Sequence, residues 1–148
     1  MEKIVDAETV NKLSHPEYTT KRVKRQISRT QIQERALSEL IQSGIISDAE
    51  HKGTELKYKT QDSKDTVATS VFAVTESIAY LSWIWVAEPF RANGIGTKLT
   101  EQTVELIKRQ DVDKVYTIPK SSEAELIFDD LQFKDAEKPL KNWRVKEL

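Results

Sequence analysis

Within residues 83–99 the chain reads Trp83-Ile84-Trp85-Val86-Ala87-Glu88-Pro89-Phe90-Arg91-Ala92-Asn93-Gly94-Ile95-Gly96-Thr97-Lys98-Leu99. An apolar run passes through a glycine-bearing loop into an amphipathic segment. A loop that opens a helix in this way presents unpaired backbone N–H groups at the positive end of the helix dipole, and together these make an anion site. Gly94 and Gly96 keep side chains away from that backbone and give it access to positive φ. Two familiar phosphate loops do not fit. A Walker A loop ends in Gly-Lys-Ser/Thr, and no glycine precedes Lys98. A dinucleotide fingerprint wants three glycines, and Arg91 stands where the first would be.

The elements around the loop can be read from periodicity. Residues 55–61, 66–75 and 78–86 are rich in β-branched and aromatic residues, with turn signals at residues 62–65 and at Glu76-Ser77. The third run is apolar on both alternating faces: Ile78, Tyr80, Ile84 and Val86 on one, Ala79, Leu81, Trp83 and Trp85 on the other. That pattern predicts a central strand covered on both sides. A helix is expected over residues 94–109, with Ile95, Leu99 and Leu106 on one face, then a strand over 114–118. A short helix carrying Ala124, Ile127, Phe128 and Leu131 follows, and a last extended stretch holds Trp143 and Val145. Before residue 53 the reading is helical. Val23 and Ile27 suggest one helix, and Ile32, Ala36, Leu37, Leu40 and Ile41 a second. Ser28 and Gln31 fit a capping box at the start of the second, and Gly44 its left-handed end.

Arg-x-x-Gly-x-Gly after a strand ending in valine, as Arg91, Gly94 and Gly96 supply it, resembles the acyl-CoA-binding signature of the GNAT superfamily of N-acetyltransferases. Residues 121–133 resemble that family's second signature, Asn-x-x-Ala-x-x-x-Tyr-x-x-x-Gly-Phe, in the right order and spacing. The resemblance implies an α/β (α+β) fold: a mixed, mostly antiparallel sheet flanked by helices, with the cofactor at a splayed central strand and the loop and helix after it. It implies a single domain over residues 1–148, with a mainly helical part up to residue 53 and an acyl-CoA-binding core from 54 onward. Acetyl-CoA, or another acyl-CoA, would be the cosubstrate. Backbone groups of Ile84, Trp85 and Val86 would face its pantetheine arm. Arg91, Ala92, Asn93, Gly94, Ile95, Gly96 and Thr97 would surround its pyrophosphate, with Ser121 nearby. The Val86 N–H would polarise the thioester carbonyl. The acceptor would be a primary amine on a small molecule or a protein.

The second signature departs from the family at three points. Phe128 stands where the family's general-acid tyrosine would be, Ser121 at the asparagine position and Gln132 at the glycine position. The predicted central strand holds no carboxylate to act as base; its polar side chains are Tyr80 and Ser82, which are therefore the side-chain candidates for catalysis.

A different class of function is suggested by Lys21, Arg22, Lys24, Arg25, Arg29 and Arg35, set against Glu34 alone. Two basic helices followed by a polar hairpin would suit a winged helix-turn-helix, and hence a non-catalytic acyl-CoA-binding or DNA-binding regulator. Bulk composition narrows the rest. The chain has 148 residues, no cysteine and only two histidines, His15 and His51, so no metal site is expected. No window reaches the roughly 18 apolar residues of a membrane span, and no apolar leader is evident, so a cytoplasmic protein without membrane contact is expected. A homodimer pairing through an exposed C-terminal strand at Trp143 is a further expectation.

Overall fold

The computed structural model describes residues 2–5, 20–27, 34–47, 52–60, 66–75, 77–88, 91 and 94–148. Strands β1 (Glu2–Val5), β2 (Thr20–Ile27), β3 (Lys52–Thr60), β4 (Thr66–Thr75), β5 (Ile78–Val86), β6 (Lys114–Thr117), β7 (Lys134–Asp135) and β8 (Arg144–Glu147) form one sheet in the order β1-β2-β3-β4-β5-β6-β8-β7. Neighbours are antiparallel except β5 and β6, which run parallel. The helices are α1 (Glu34–Gln42), α2 (Ile95–Lys108) and α3 (Ser122–Asp130). The mixed, mostly antiparallel sheet is the architecture expected from the sequence.

Each face of the sheet has its own core. On one, Ala36, Leu37 and Leu40 of α1 pack against Val71, Ala73, Ile78, Tyr80 and Trp143. On the other, Leu99 and Ile95 of α2 pack against Leu56, Tyr58 and Ala68, and Ile107 and Phe128 meet Phe72, Ala79 and Leu81. Two polar contacts fix α2 in place on this second face. The Tyr58 hydroxyl donates to Gln102 Oε1 at 2.6 Å, and the buried Ser70 and Thr103 hydroxyls are hydrogen-bonded at 2.8 Å.

The N-terminal part corrects the helical reading. Thr20–Ile27 is a strand, paired antiparallel to β3 along its length, with β1 on its other edge. Val23 and Ile27 are four residues apart, a spacing that satisfies the strand period of two as well as the helical period. A helix-turn-helix needs a helix where β2 runs, so the winged-helix reading and the DNA contact built on it fall away. Residues 28–33, with the capping box, lie outside the described residues.

Gly44 does end α1 as expected. Its φ is +75°, its N–H donates to Ile41 O, and the Ile45 N–H reaches back to Leu40 O, each at 3.0 Å. This is a Schellman motif, with Ile45 packed on the core that Leu40 enters. The end of α3 repeats it without glycine. Gln132 N–H donates to Asp129 O at 3.0 Å and Phe133 N–H to Phe128 O at 2.9 Å, with Gln132 at φ +68°. A residue with a Cβ is disfavoured in that conformation by about 1–2 kcal/mol, part of which glycine's freedom in the unfolded chain offsets. Gln132→Gly should therefore stabilise the protein by about 0.5–1 kcal/mol, read as a higher urea midpoint at unchanged slope. A lower midpoint would show that the glutamine side chain makes up for its backbone strain.

Candidate functional site

Strand β5 is the element on which the site is built. It pairs with β6 only from Ile78↔Lys114 to Leu81↔Thr117, so β5 continues to Val86 while β6 ends. On the opposite edge β5 stays paired with β4 throughout, from Thr75↔Ile78 to Ala68↔Val86. A gap thus opens beside residues 82–86 on one edge only.

The register with β4 changes from Phe72↔Leu81 to Val71↔Trp83, which makes Ser82 the extra residue of a β-bulge. The bulge reverses the side-chain alternation beyond it. Ile84 and Val86 pack with the α2 cluster, on the same face as Ala79 and Leu81 and away from Ile78 and Tyr80. The strict alternation expected for this strand is corrected accordingly. Burial is corrected as well: Ile78 to Ser82 are buried, but Trp83 is 46% exposed.

The backbone directions follow from two contacts. Ala87 N–H donates to Val67 O at 2.8 Å, toward β4, so by alternation the Val86 groups face the gap. Arg91 Nε donates to Val86 O at 2.8 Å from that side, which ties the loop to the strand end. The Val86 N–H, and the N–H and C=O of Ile84, share this edge.

Helix α2 begins where the gap ends. Gly94 is its N-cap, at φ +76°, and no side chain caps the first turn, nor does that turn hold an acidic residue. The N–H groups of Ile95, Gly96 and Thr97 therefore carry the positive end of the dipole. The two glycines act differently. A Cβ on Gly94 would meet nothing within 4 Å, so glycine serves the positive φ there. A Cβ on Gly96 would lie 3.2 Å from Ile127 Cδ1 and 3.5 Å from Val86 Cγ2. Gly96 is the close contact at which strand end, helix start and α3 meet.

Helix α3 forms the far wall. Ser121 is its N-cap, its Oγ accepting from the Ala124 N–H at 3.1 Å, and Glu123 and Glu125 lie in the first turn, where the dipole favours them. Between these elements is a cleft of about 630 Å³, lined by Ile84, Trp85, Val86, Arg91, Gly94, Ile95, Gly96, Thr97 and Ser121, with Glu123, Ala124, Leu126 and Ile127 of α3. Its volume is in the range of small-molecule sites. Every described residue expected from the sequence to meet the cofactor lies in this cleft; Ala92 and Asn93 lie outside the described residues. The sequence signals single out Ser121 at the start of this wall but not Leu126 and Ile127, whose apolar side chains carry no signature of a binding site.

The family model described as acetyltransferase (GNAT) family matches residues 38–125. The chain belongs to the GNAT family. Acetyl-CoA is the cosubstrate of GNAT acetyltransferases. No curated protein matches the sequence. Among solved structures the fold is similar to that of an acetyltransferase from Bacillus cereus (TM-score 0.59, 16% identity, covering 78% of this chain and 90% of that one). It is also similar to a GNAT acetyltransferase from Staphylococcus aureus (0.55, 15%, 84% and 98%). A third is a GNAT acetyltransferase from Elizabethkingia anophelis whose crystal structure holds acetyl-CoA (0.56, 14%, 86% and 98%). At these identities the likeness is one of fold.

The side chains a GNAT enzyme would use for proton transfer sit elsewhere. Phe128, at the tyrosine position, is 3% exposed and packs on Phe133 with ring centroids 5.1 Å apart. Tyr80 is fully buried, 5.5 Å from the Trp143 ring and hydrogen-bonded to the buried Ser82 side chain, and neither Tyr80 nor Ser82 lines the cleft. Trp143 is buried too, its Nε1 donating to Glu39 Oε2 at 2.8 Å, and the C-terminal strand on which pairing of two copies was expected is β8, which lies between β6 and β7 in the sheet.

Burial is the largest influence on Tyr80 and lifts its hydroxyl from 10.0 to about 12; the Ser82 hydrogen bond opposes the rise and the Glu39 charge adds to it. A phenol whose folded value is raised gives stability that is complete below pH 10 and lost as pH climbs toward 12. Tyr80→Phe should flatten that alkaline loss, by up to about 1.4 kcal/mol per pH unit, in urea unfolding measured at pH 9, 10 and 11. An identical alkaline loss in the variant would show that Tyr80 is not held neutral by its surroundings.

Proposed function

We propose that the protein is an N-acetyltransferase that moves the acetyl group of acetyl-CoA to a primary amine, by direct attack, in the cleft between β5 and α3. The observation that carries this reading is the one-sided gap beside residues 82–86 ending at the uncapped start of α2. The parts of the cosubstrate match the parts of the cleft. Pyrophosphate oxygens suit the N–H groups of Ile95, Gly96 and Thr97, with Gly94 and Arg91 beside them and Ala92 and Asn93 assigned to the same loop. The amides of a pantetheine arm suit the edge groups of Ile84 and Val86, as an added strand would, with Trp85 between them and Ser121 on the opposite wall.

The thioester supplies an activated acyl group. The Val86 N–H faces the gap at the depth where β6 has ended, and we assign it to the acyl carbonyl oxygen, where it would stabilise charge as it develops. The amine nitrogen bonds to the acyl carbon as the carbon–sulfur bond breaks, and the electron pair leaves on sulfur. With Phe128 in the tyrosine position, water delivers the proton to sulfur and removes the one from nitrogen. Positioning two reactants in one gap then accounts for much of the rate, because effective molarity substitutes for a side-chain acid. The acceptor is an amine on a small molecule or on a protein.

Calorimetric titration with acetyl-CoA tests the reading through two variants of one residue. Gly94→Ala keeps the backbone strain that any Cβ brings and adds no charge; Gly94→Glu adds a carboxylate at the proposed pyrophosphate position. Saturable binding is expected in the native protein, with Gly94→Glu weaker than Gly94→Ala by at least about tenfold, or about 1.4 kcal/mol. Equal binding by the two variants, or none by the native protein, would rule out this site.

A further inference from the structure

In the reading above the cosubstrate fills the cleft on the α2 side of β5, which leaves the other face of the strand to the acceptor. On the α2 face the cleft is walled by the start of α2 and by α3. The opposite face of the same strand segment carries Trp83, because the bulge at Ser82 turns it onto the face of its β4 partner Val71, away from Ile84 and Val86. Trp83 and Leu126 are the large apolar side chains left exposed among the described residues, and Leu126 belongs to the α3 wall. Trp83 is thus an indole with 46% of its surface open to solvent, three residues from the Val86 N–H that faces the gap.

The surroundings of Trp83 indicate what it would hold. On the same face the carboxylates of Glu55, Glu39 and Glu137 are each engaged, the last by the Tyr116 hydroxyl. Glu55, opposite Val71 in the next strand, pairs with Lys57 at 3.1 Å, and Glu39 accepts from Trp143 Nε1 at 2.8 Å. An acceptor with several cationic groups would have to compete for those partners. The indole face, by contrast, offers apolar area and stacking at little conformational cost. Resting on the acetyltransferase reading above, we infer that Trp83 is a specificity-determining residue and that the acceptor is an arylalkyl amine, its ring stacked on Trp83 and its amine reaching into the gap at Val86.

The test is steady-state acetyl transfer by the full chain from acetyl-CoA to phenethylamine and tryptamine, set against putrescine and spermidine, with acetyl-CoA affinity measured by calorimetry on the same samples. The arylalkyl amines should have kcat/KM values at least about tenfold above the aliphatic ones. Trp83→Ala should raise their KM by about tenfold or more and leave that of putrescine and the acetyl-CoA Kd unchanged; Trp83→Phe should restore most of the loss. A preference for spermidine or putrescine, or a Trp83→Ala variant with native kinetics toward phenethylamine, would overturn the inference and leave the acetyltransferase reading standing. Failure of the native protein to bind acetyl-CoA would remove both.

Discussion

A β-strand needs partners for its backbone groups on both edges, and β5 has them on both edges only as far as Leu81. Beyond that point β6 has ended, β4 remains, and the groups of Ile84 and Val86 on the open edge must be satisfied by water, by Arg91 or by a ligand. A buried polar group left without a partner costs about 1–3 kcal/mol, so such an edge persists only where solvent or a ligand reaches it. The half-burial of residues 84–86, against the full burial of residues 78–82, meets that condition. A molecule that brings its own amides exchanges hydrogen bonds with water there, so binding need not disturb the sheet.

Keeping the edge open also requires that the neighbouring elements come no closer. Parallel pairing of β5 with β6 demands a crossover, and α2, the next element after the open strand end, provides it. The same connection that ends the strand therefore delivers a helix N-terminus to it. Gly96 sets how near these parts approach, with Ile127 and Val86 both within 4 Å of where its Cβ would be. Arg91 closes the loop onto Val86 O, and Gly94 turns the chain into the helix through positive φ. Polar contacts from Thr103 to Ser70 and from Gln102 to Tyr58 hold the helix at fixed depth on the sheet. Strand end, Arg91 and helix start are thereby held together at the cleft.

Much of this frame could be read from residue types. The strands at residues 66–75 and 78–86 announce themselves by β-branched and aromatic content, and Gly94 and Gly44 fall at the helix boundaries where left-handed backbone is needed. The cleft residues could be named because the binding proposed there would rely on backbone groups and glycines, which leave a compact signature. Other features left no local trace. The bulge at Ser82 is a matter of register between two strands, and nothing in the sequence of β5 alone declares it. Trp83 consequently read as a core residue. Val23 and Ile27 fit both periods, and pairing with β3 decides between them. The C-terminal strand read as exposed because its place between β6 and β7, and the contact of Trp143 with α1, are set by residues distant in the chain.

On the function proposed above, acetyl-CoA is held at the open edge of β5. Amide hydrogen exchange followed by NMR, with and without acetyl-CoA, addresses it residue by residue. The N–H groups of Ile84 and Val86 should be slowed by saturating acetyl-CoA, together with those of Ile95, Gly96 and Thr97, while Trp85 and Ala87, turned toward β4, should change little. Exchange at Ile84 and Val86 that is unaffected by saturating acetyl-CoA would contradict the account, whatever happened at the helix start.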